Sequence, residues 1–129
     1  LIANVDLPLR GHGVTYSAAP GRSVVGARRP GTFAVVFDPD GTAPPLTIAS
    51  PAGRHFFGHG AFAPDGKLLY ATENDFERGR GVIGIYDVAG GYRRIGEFET
   101  YGVGPHELIL LPDGRSFVTL NRRTEMHRE

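Results

Sequence analysis

Gly58-His59-Gly60-Ala61-Phe62-Ala63-Pro64-Asp65-Gly66-Lys67-Leu68-Leu69-Tyr70-Ala71-Thr72-Glu73 reads as a strand, a tight reversal and a returning strand. Pro-Asp-Gly supplies the reversal: Pro presets φ, Asp bonds its own backbone and Gly accepts positive φ. The apolar and β-branched residues on either side supply the strands. The same pattern occurs twice more. Gly11-His12-Gly13-Val14-Thr15-Tyr16-Ser17 turns at Pro20-Gly21 into Ser23-Val24-Val25-Gly26-Ala27. Gly104-Pro105-His106-Glu107-Leu108 turns at Pro112-Asp113-Gly114 into Ser116-Phe117-Val118-Thr119-Leu120. His12, His59 and His106 recur at a constant spacing of 47 residues. A period of that length filled with short strands is the signature of propeller blades.

Residues 1–9 read as the outer strand of a preceding blade, and residues 12–50 and 59–100 as two complete four-stranded blades. Residues 106–121 begin another blade. The third strands of the complete blades are Thr32–Asp38 and Val82–Asp87, and Asn74–Gly81 is expected as an insertion ahead of the latter. No segment carries a helical period, so the expected class is all-β. Two blades and two partial ones fall short of the roughly four that a closed ring requires. The expectation is therefore a fragment of one propeller domain, completed by the remaining blades of a longer protein.

Composition narrows the function classes. The 129 residues include 19 Gly and 10 Pro, which would signal disorder if scattered but here fall at repeated turns. Fourteen basic residues balance fourteen acidic ones, and no basic stripe emerges. Nucleic-acid binding is thus not expected. The absence of Cys removes disulfides, thiolate ligands and Cys nucleophiles, and no apolar run approaches membrane-spanning length.

In a propeller the inner strand starts on the face to which the loop between second and third strands returns. His12, His59 and His106, together with Arg28-Arg29, Glu73-Asn74-Asp75 and Asn121-Arg122, are therefore expected around one mouth of the channel. Neutral imidazole suits zinc, copper and iron, which makes His59, His106 and Glu73 candidate ligands of a metal ion, iron or another. The same Gly-His pairs also fit a structural role tying one strand to the next, and His12 is assigned to it. His55 breaks the repeat and, beside Arg54, could hold an anion or a carboxylate. Arg54, His55, His59, Glu73, His106 and Glu107 make up the expected ligand-binding set, with no catalytic residue assigned. Gly-x-Ser-x-Gly, phosphate-loop and His-Glu-x-x-His signatures are absent.

Several longer stretches carry a resemblance. Arg10-Gly11-His12-Gly13, Ala27-Arg28-Arg29-Pro30-Gly31-Thr32-Phe33, Gly53-Arg54-His55-Phe56-Phe57-Gly58-His59-Gly60, Thr72-Glu73-Asn74-Asp75 and Gly79–Asp87 together resemble the family known as domain of unknown function 1513. Gly-Pro-His-Glu-Leu and Leu-Leu-Pro-Asp-Gly-Arg, within 104–115, are similar to the repeats of many periplasmic propellers. The resemblance implies a seven-bladed propeller with repeats of the WD40 or YVTN kind, exported to the periplasm by a twin-arginine signal. It also implies a setting beside iron-uptake and haem-peroxidase-like proteins. The chain departs from the pattern at Asn121-Arg122-Arg123-Thr124, where a Gly pair would follow the Asn. The expected function is a module binding a metal, a small molecule or a protein in iron acquisition. The alternatives are a lactonase-like propeller hydrolase and an interaction scaffold.

Overall fold

The Pro-Asp-Gly reversals form as their chemistry dictates. In a computed structural model, which describes residues 5–17, 21–27, 31–41 and 43–123, the Asp65 carboxylate accepts the Lys67 amide at 2.9 Å, and the Gly66 amide bonds the Ala63 carbonyl at 2.9 Å. Asp113 repeats this, accepting the Arg115 and Ser116 amides at 2.8 and 2.9 Å, while Gly114 bonds Leu111. Each Asp thereby satisfies turn amides that no strand could reach.

These turns and their counterparts join ten strands: β1 Gly11–Ser17, β2 Arg22–Ala27, β3 Phe33–Phe37, β4 Leu46–Ala49, β5 Arg54–Phe62, β6 Leu68–Asp75, β7 Arg80–Asp87, β8 Arg93–Glu99, β9 Val103–Leu110 and β10 Phe117–Arg123. The described residues contain no helix. Among the described residues all strand pairing is antiparallel between chain neighbours, and one isolated bridge, Gly31 with Phe56, links the first two sheets. The strand pairing gives two four-stranded sheets, β1-β2-β3-β4 and β5-β6-β7-β8, and a two-stranded sheet of β9 and β10. The protein is all-β and its four-stranded sheets are blade-like meanders. Among the first strands, β5 adjoins both β1 and β9, so consecutive sheets meet at their inner strands.

The main core lies between the first two sheets. Val24, Ala34, Val36 and Ile48 from the first meet Phe56, Phe62, Leu69, Ala71, Tyr86 and Tyr92 from the second. Period-two alternation sends the neighbours Thr72 and Ile83 to the opposite face of the second sheet, where both are fully buried on the side of β9. Each large apolar side chain so enclosed contributes about 1.5–3 kcal/mol. Polar ties reinforce the stack. The Phe56 amide bonds the Gly31 carbonyl at 2.7 Å and the Gly81 amide bonds that of Gly102 at 2.7 Å. Asn121 accepts the Thr100 hydroxyl at 2.7 Å and donates to the Thr100 carbonyl at 3.0 Å.

Three expectations are corrected. Val5–Leu9 is not a strand; Leu1–Asn4, the rest of that segment, lies outside the described residues. The inner strands begin before their histidines, at Arg54 instead of His59 and at Val103 instead of His106. The cause at Arg54 is local: Gly53, at φ 77°, turns the chain, and the Arg54 amide closes on the Pro51 carbonyl at 3.1 Å. The strand can then start at once. Asn74–Gly81 is likewise no insertion, because Asn74 pairs with Gly81 and Asp75 with Arg80, extending the β6–β7 hairpin.

Candidate functional site

All three repeated histidines sit in irregularities of the inner strands. In β1 the register passes from Gly11↔Ala27 to Val14↔Val25, so His12 and Gly13 together face Gly26. In β5 it passes from Phe56↔Glu73 to Gly60↔Ala71, leaving Phe57, Gly58 and His59 opposite Thr72. In β9 it passes from Pro105↔Asn121 to Glu107↔Leu120, which leaves His106 as the extra residue. A bulge adds a residue and re-aims its side chain. Here three bulges aim three imidazoles at one place.

Gly58 makes the middle bulge possible. Its φ of 97° is outside the range of ordinary L-residues, and a Cβ there would lie 2.7 Å from Cδ2 of His12. Across it, a Cβ on Gly26 would lie 3.0 Å from the Gly58 Cα, so β2 and β5 approach at backbone distance. Thr72 then locks the bulge from β6: its hydroxyl donates to the His59 carbonyl at 3.0 Å and accepts the His59 amide at 3.3 Å.

The ring centroids of His12 and His59 are 4.9 Å apart, those of His59 and His106 5.1 Å, and those of His12 and His106 5.9 Å. One nitrogen from each ring lies within 4.8 Å of the others. The Glu107 carboxylate stands 3.3 Å from Nδ1 of His59 and is itself steadied by the Leu108 amide at 3.0 Å. Nε2 of His59 is buried and has no hydrogen-bond partner. Burial pushes the His59 imidazole below its ordinary 6.5; Glu107 pulls the other way, and the two neighbouring rings add to the lowering. The group at the centre is thus a neutral imidazole near pH 7, with Nδ1 facing a carboxylate and Nε2 left as a free donor atom. Carboxylate–imidazole pairs of this kind orient metal-binding histidines.

A tetrahedral ion with metal–nitrogen bonds of about 2.0–2.1 Å holds its nitrogens about 3.4 Å apart. The cluster is wider by an amount that side-chain rotation of the exposed His12 and His106 can close. Three imidazoles in this arrangement can hold zinc, copper, nickel or iron and leave further positions open.

The other expected site residues go elsewhere. Glu73 is fully buried within the second sheet, where its carboxylate accepts the Tyr86 hydroxyl and Nη2 of Arg94, the latter at 2.7 Å. Burial pushes the Glu73 carboxyl up, against the pull of both bonds. It is not part of the histidine group. The physical reason is register: Glu73 pairs with Phe56, ahead of the bulge, and shares that residue's core-facing side. Arg54 makes a forked contact to Glu97 at 2.8–3.1 Å and an ion pair with the buried Asp75 at 3.2 Å. Asp75 also takes Nε of Arg80 at 3.1 Å. His55 stacks on Phe76 with centroids 4.3 Å apart. Arg28 and Arg29 lie outside the described residues.

The bulges are thus the part of the site that sequence reading missed; Glu107, expected as a ligand-binding residue, stands beside His59, and His12 belongs with the two histidines it was separated from. The signal was present in the strict recurrence of all three. The family described as protein of unknown function (DUF1513) matches residues 5–122, nearly the whole chain. The chain belongs to that family. No curated protein matches it. The DUF1513 match spans all three histidine-bearing strands and every residue named in the cluster.

Proposed function

We propose that this DUF1513 chain is part of a periplasmic β-propeller whose inner-strand histidines, His12, His59 and His106, bind a transition-metal ion at the propeller axis, with Glu107 orienting His59. The observation that carries the reading is the convergence of three repeat-related imidazoles within 4.8 Å, each delivered by a bulge. Supporting the propeller part are the consecutive meanders whose first strands adjoin. The iron-uptake setting implied by the family resemblance agrees with a site of this chemistry, so iron is the first ion to try and zinc, copper and nickel are its competitors. The remaining blades would complete the ring, and a small molecule or protein partner would approach along the axis.

The hydrolase alternative would draw on Glu73 together with His59 and His106. Enclosed by Tyr86 and Arg94, Glu73 lends that alternative no support. A scaffold without a metal would leave Nε2 of His59 unexplained. The test is cobalt(II) titration of the full-length protein, followed by its visible spectrum. Saturable d–d bands that disappear in His59→Ala are expected; a spectrum identical to free cobalt(II) would refute the proposal.

A further inference from the structure

A cavity of about 320 Å³ lies between the first two sheets. Its inner wall is made by Val24, Ala34, Ile48, Phe56, Leu69 and Ala71, all buried core residues. Interiors are close-packed, and voids larger than a water molecule are few in any domain. A space of this size in so small a core therefore marks a place where something binds. Apolar cavities of half the volume take up benzene.

The lining also has a direction. Its exposed or half-exposed members are Gly13, Val14, Thr15, His59, Gly60 and Glu107 on the inner strands and Gly26 on β2 beside them. The cavity thus opens beside the histidine cluster. The groups at the opening favour hydrogen-bond donors. The Glu107 carboxylate receives one amide bond, from Leu108, and has capacity for more. Nε2 of His59 lacks a hydrogen-bond partner. Deeper in, the Phe56 and Tyr86 rings stand 6.1 Å apart, and the Tyr86 hydroxyl is already committed to Glu73. Two aromatic faces and aliphatic walls suit a flat ring, and an acceptor-lined mouth suits a ring that carries a donor.

We infer that the cavity between the first two sheets is a binding site for a small monocyclic phenol, its ring against Phe56 and Tyr86 and its hydroxyl donating to Glu107 or His59. A carboxylate in the same position would face Glu107 across a short distance and be repelled. The cavity shares His59 and Glu107 with the proposed metal site, whereas His12 and His106 do not line it, so loss of either of those two separates the sites.

Fluorine NMR on the full-length protein, with para-fluorophenol, fluorobenzene and para-fluorobenzoate as probes and with and without added zinc, tests it. Para-fluorophenol should bind about tenfold more tightly than fluorobenzene, one hydrogen bond's worth, and para-fluorobenzoate should not bind to the zinc-free protein. Ala71→Leu and, as an independent filling of the same space, Ala34→Leu should abolish binding of both neutral probes. Glu107→Gln should narrow the preference for the phenol. His106→Ala should lose metal yet retain para-fluorophenol, which separates failure of this site from failure of the metal site. Absence of para-fluorophenol binding, equal binding of para-fluorobenzoate without zinc, or binding unaffected by either filling substitution in a folded variant would overturn the inference.

Discussion

Glu73 shows how much one residue's surroundings decide. Its carboxylate is fully buried and holds both the Tyr86 hydroxyl and the Arg94 guanidinium. Removing it strands two polar groups in a poorly solvated place. Glu73→Ala should therefore cost about 3 kcal/mol of unfolding free energy, and Glu73→Gln, which keeps an acceptor, less; the denaturant midpoints of the two variants check the order. A second residue-scale prediction concerns acid. Burial alone would raise the Asp75 carboxyl, but the Arg78 amide, the Arg80 guanidinium and the Arg54 charge outweigh it and hold it below its ordinary 3.8. Arg54 and Arg94 do the same for Glu97 against its ordinary 4.5. Between each depressed value and the ordinary one, the unfolded chain binds more protons than the native one, so stability rises with pH there. The contribution is complete above about pH 4.5 and is lost as the pH falls through the folded values. Stability measured by urea between about pH 6 and pH 2 should fall on acidification, less steeply in Asp75→Asn; an unaltered slope in that variant would contradict the assignment.

At the scale of elements, the bulges decide where the histidines go. Gly58→Ala would force a side chain into φ 97° and set its Cβ 2.7 Å from the His12 ring. It should lower stability by about 1–2 kcal/mol and weaken metal binding although Gly58 is no ligand. Melting and metal titration of this one variant read both effects, and unchanged metal affinity would separate the bulge from the site. The hairpins were legible in the sequence because Pro-Asp-Gly is local chemistry: Asp65 and Asp113 bond amides two or three residues away. The bulges were not, because they exist only in the register between two strands. That is why the inner strands were expected to open at their histidines; Glu73 was placed beside them because it was taken as the end of its strand, whereas pairing runs on to Asp75. Arg54 was misread for a similar reason: its partners, Asp75 and Glu97, come from strands 21 and 43 residues on.

For the whole molecule, the constant 47-residue spacing was enough to expect sheets of one kind in sequence, and the described residues form two four-stranded meanders and a hairpin on that spacing. The spacing could not tell how inner strands come together, since that depends on glycines such as Gly26 and Gly58 meeting across sheets. Among the described residues β10 has no strand on its outer side, and Ile109, Val118 and Leu120 stand exposed on this last sheet. Such edges and apolar faces recruit other chains. The 129-residue chain on its own should self-associate, with a weight-average mass that rises with concentration in sedimentation equilibrium; a monomer across the whole range would contradict this account of its faces.

The central claim is that three bulge-borne histidines act as one metal site, and calorimetric zinc titration of the full-length protein beside its His12→Ala, His59→Ala and His106→Ala variants tests it most directly. One ion should bind the parent protein, and each single variant should lose affinity by more than the ten- to hundredfold or so typical of an orienting residue, while Glu107→Gln stays within that range and all four remain folded by circular dichroism. Zinc binding of equal strength in the parent and in all three histidine variants, or none in a folded parent, would contradict it.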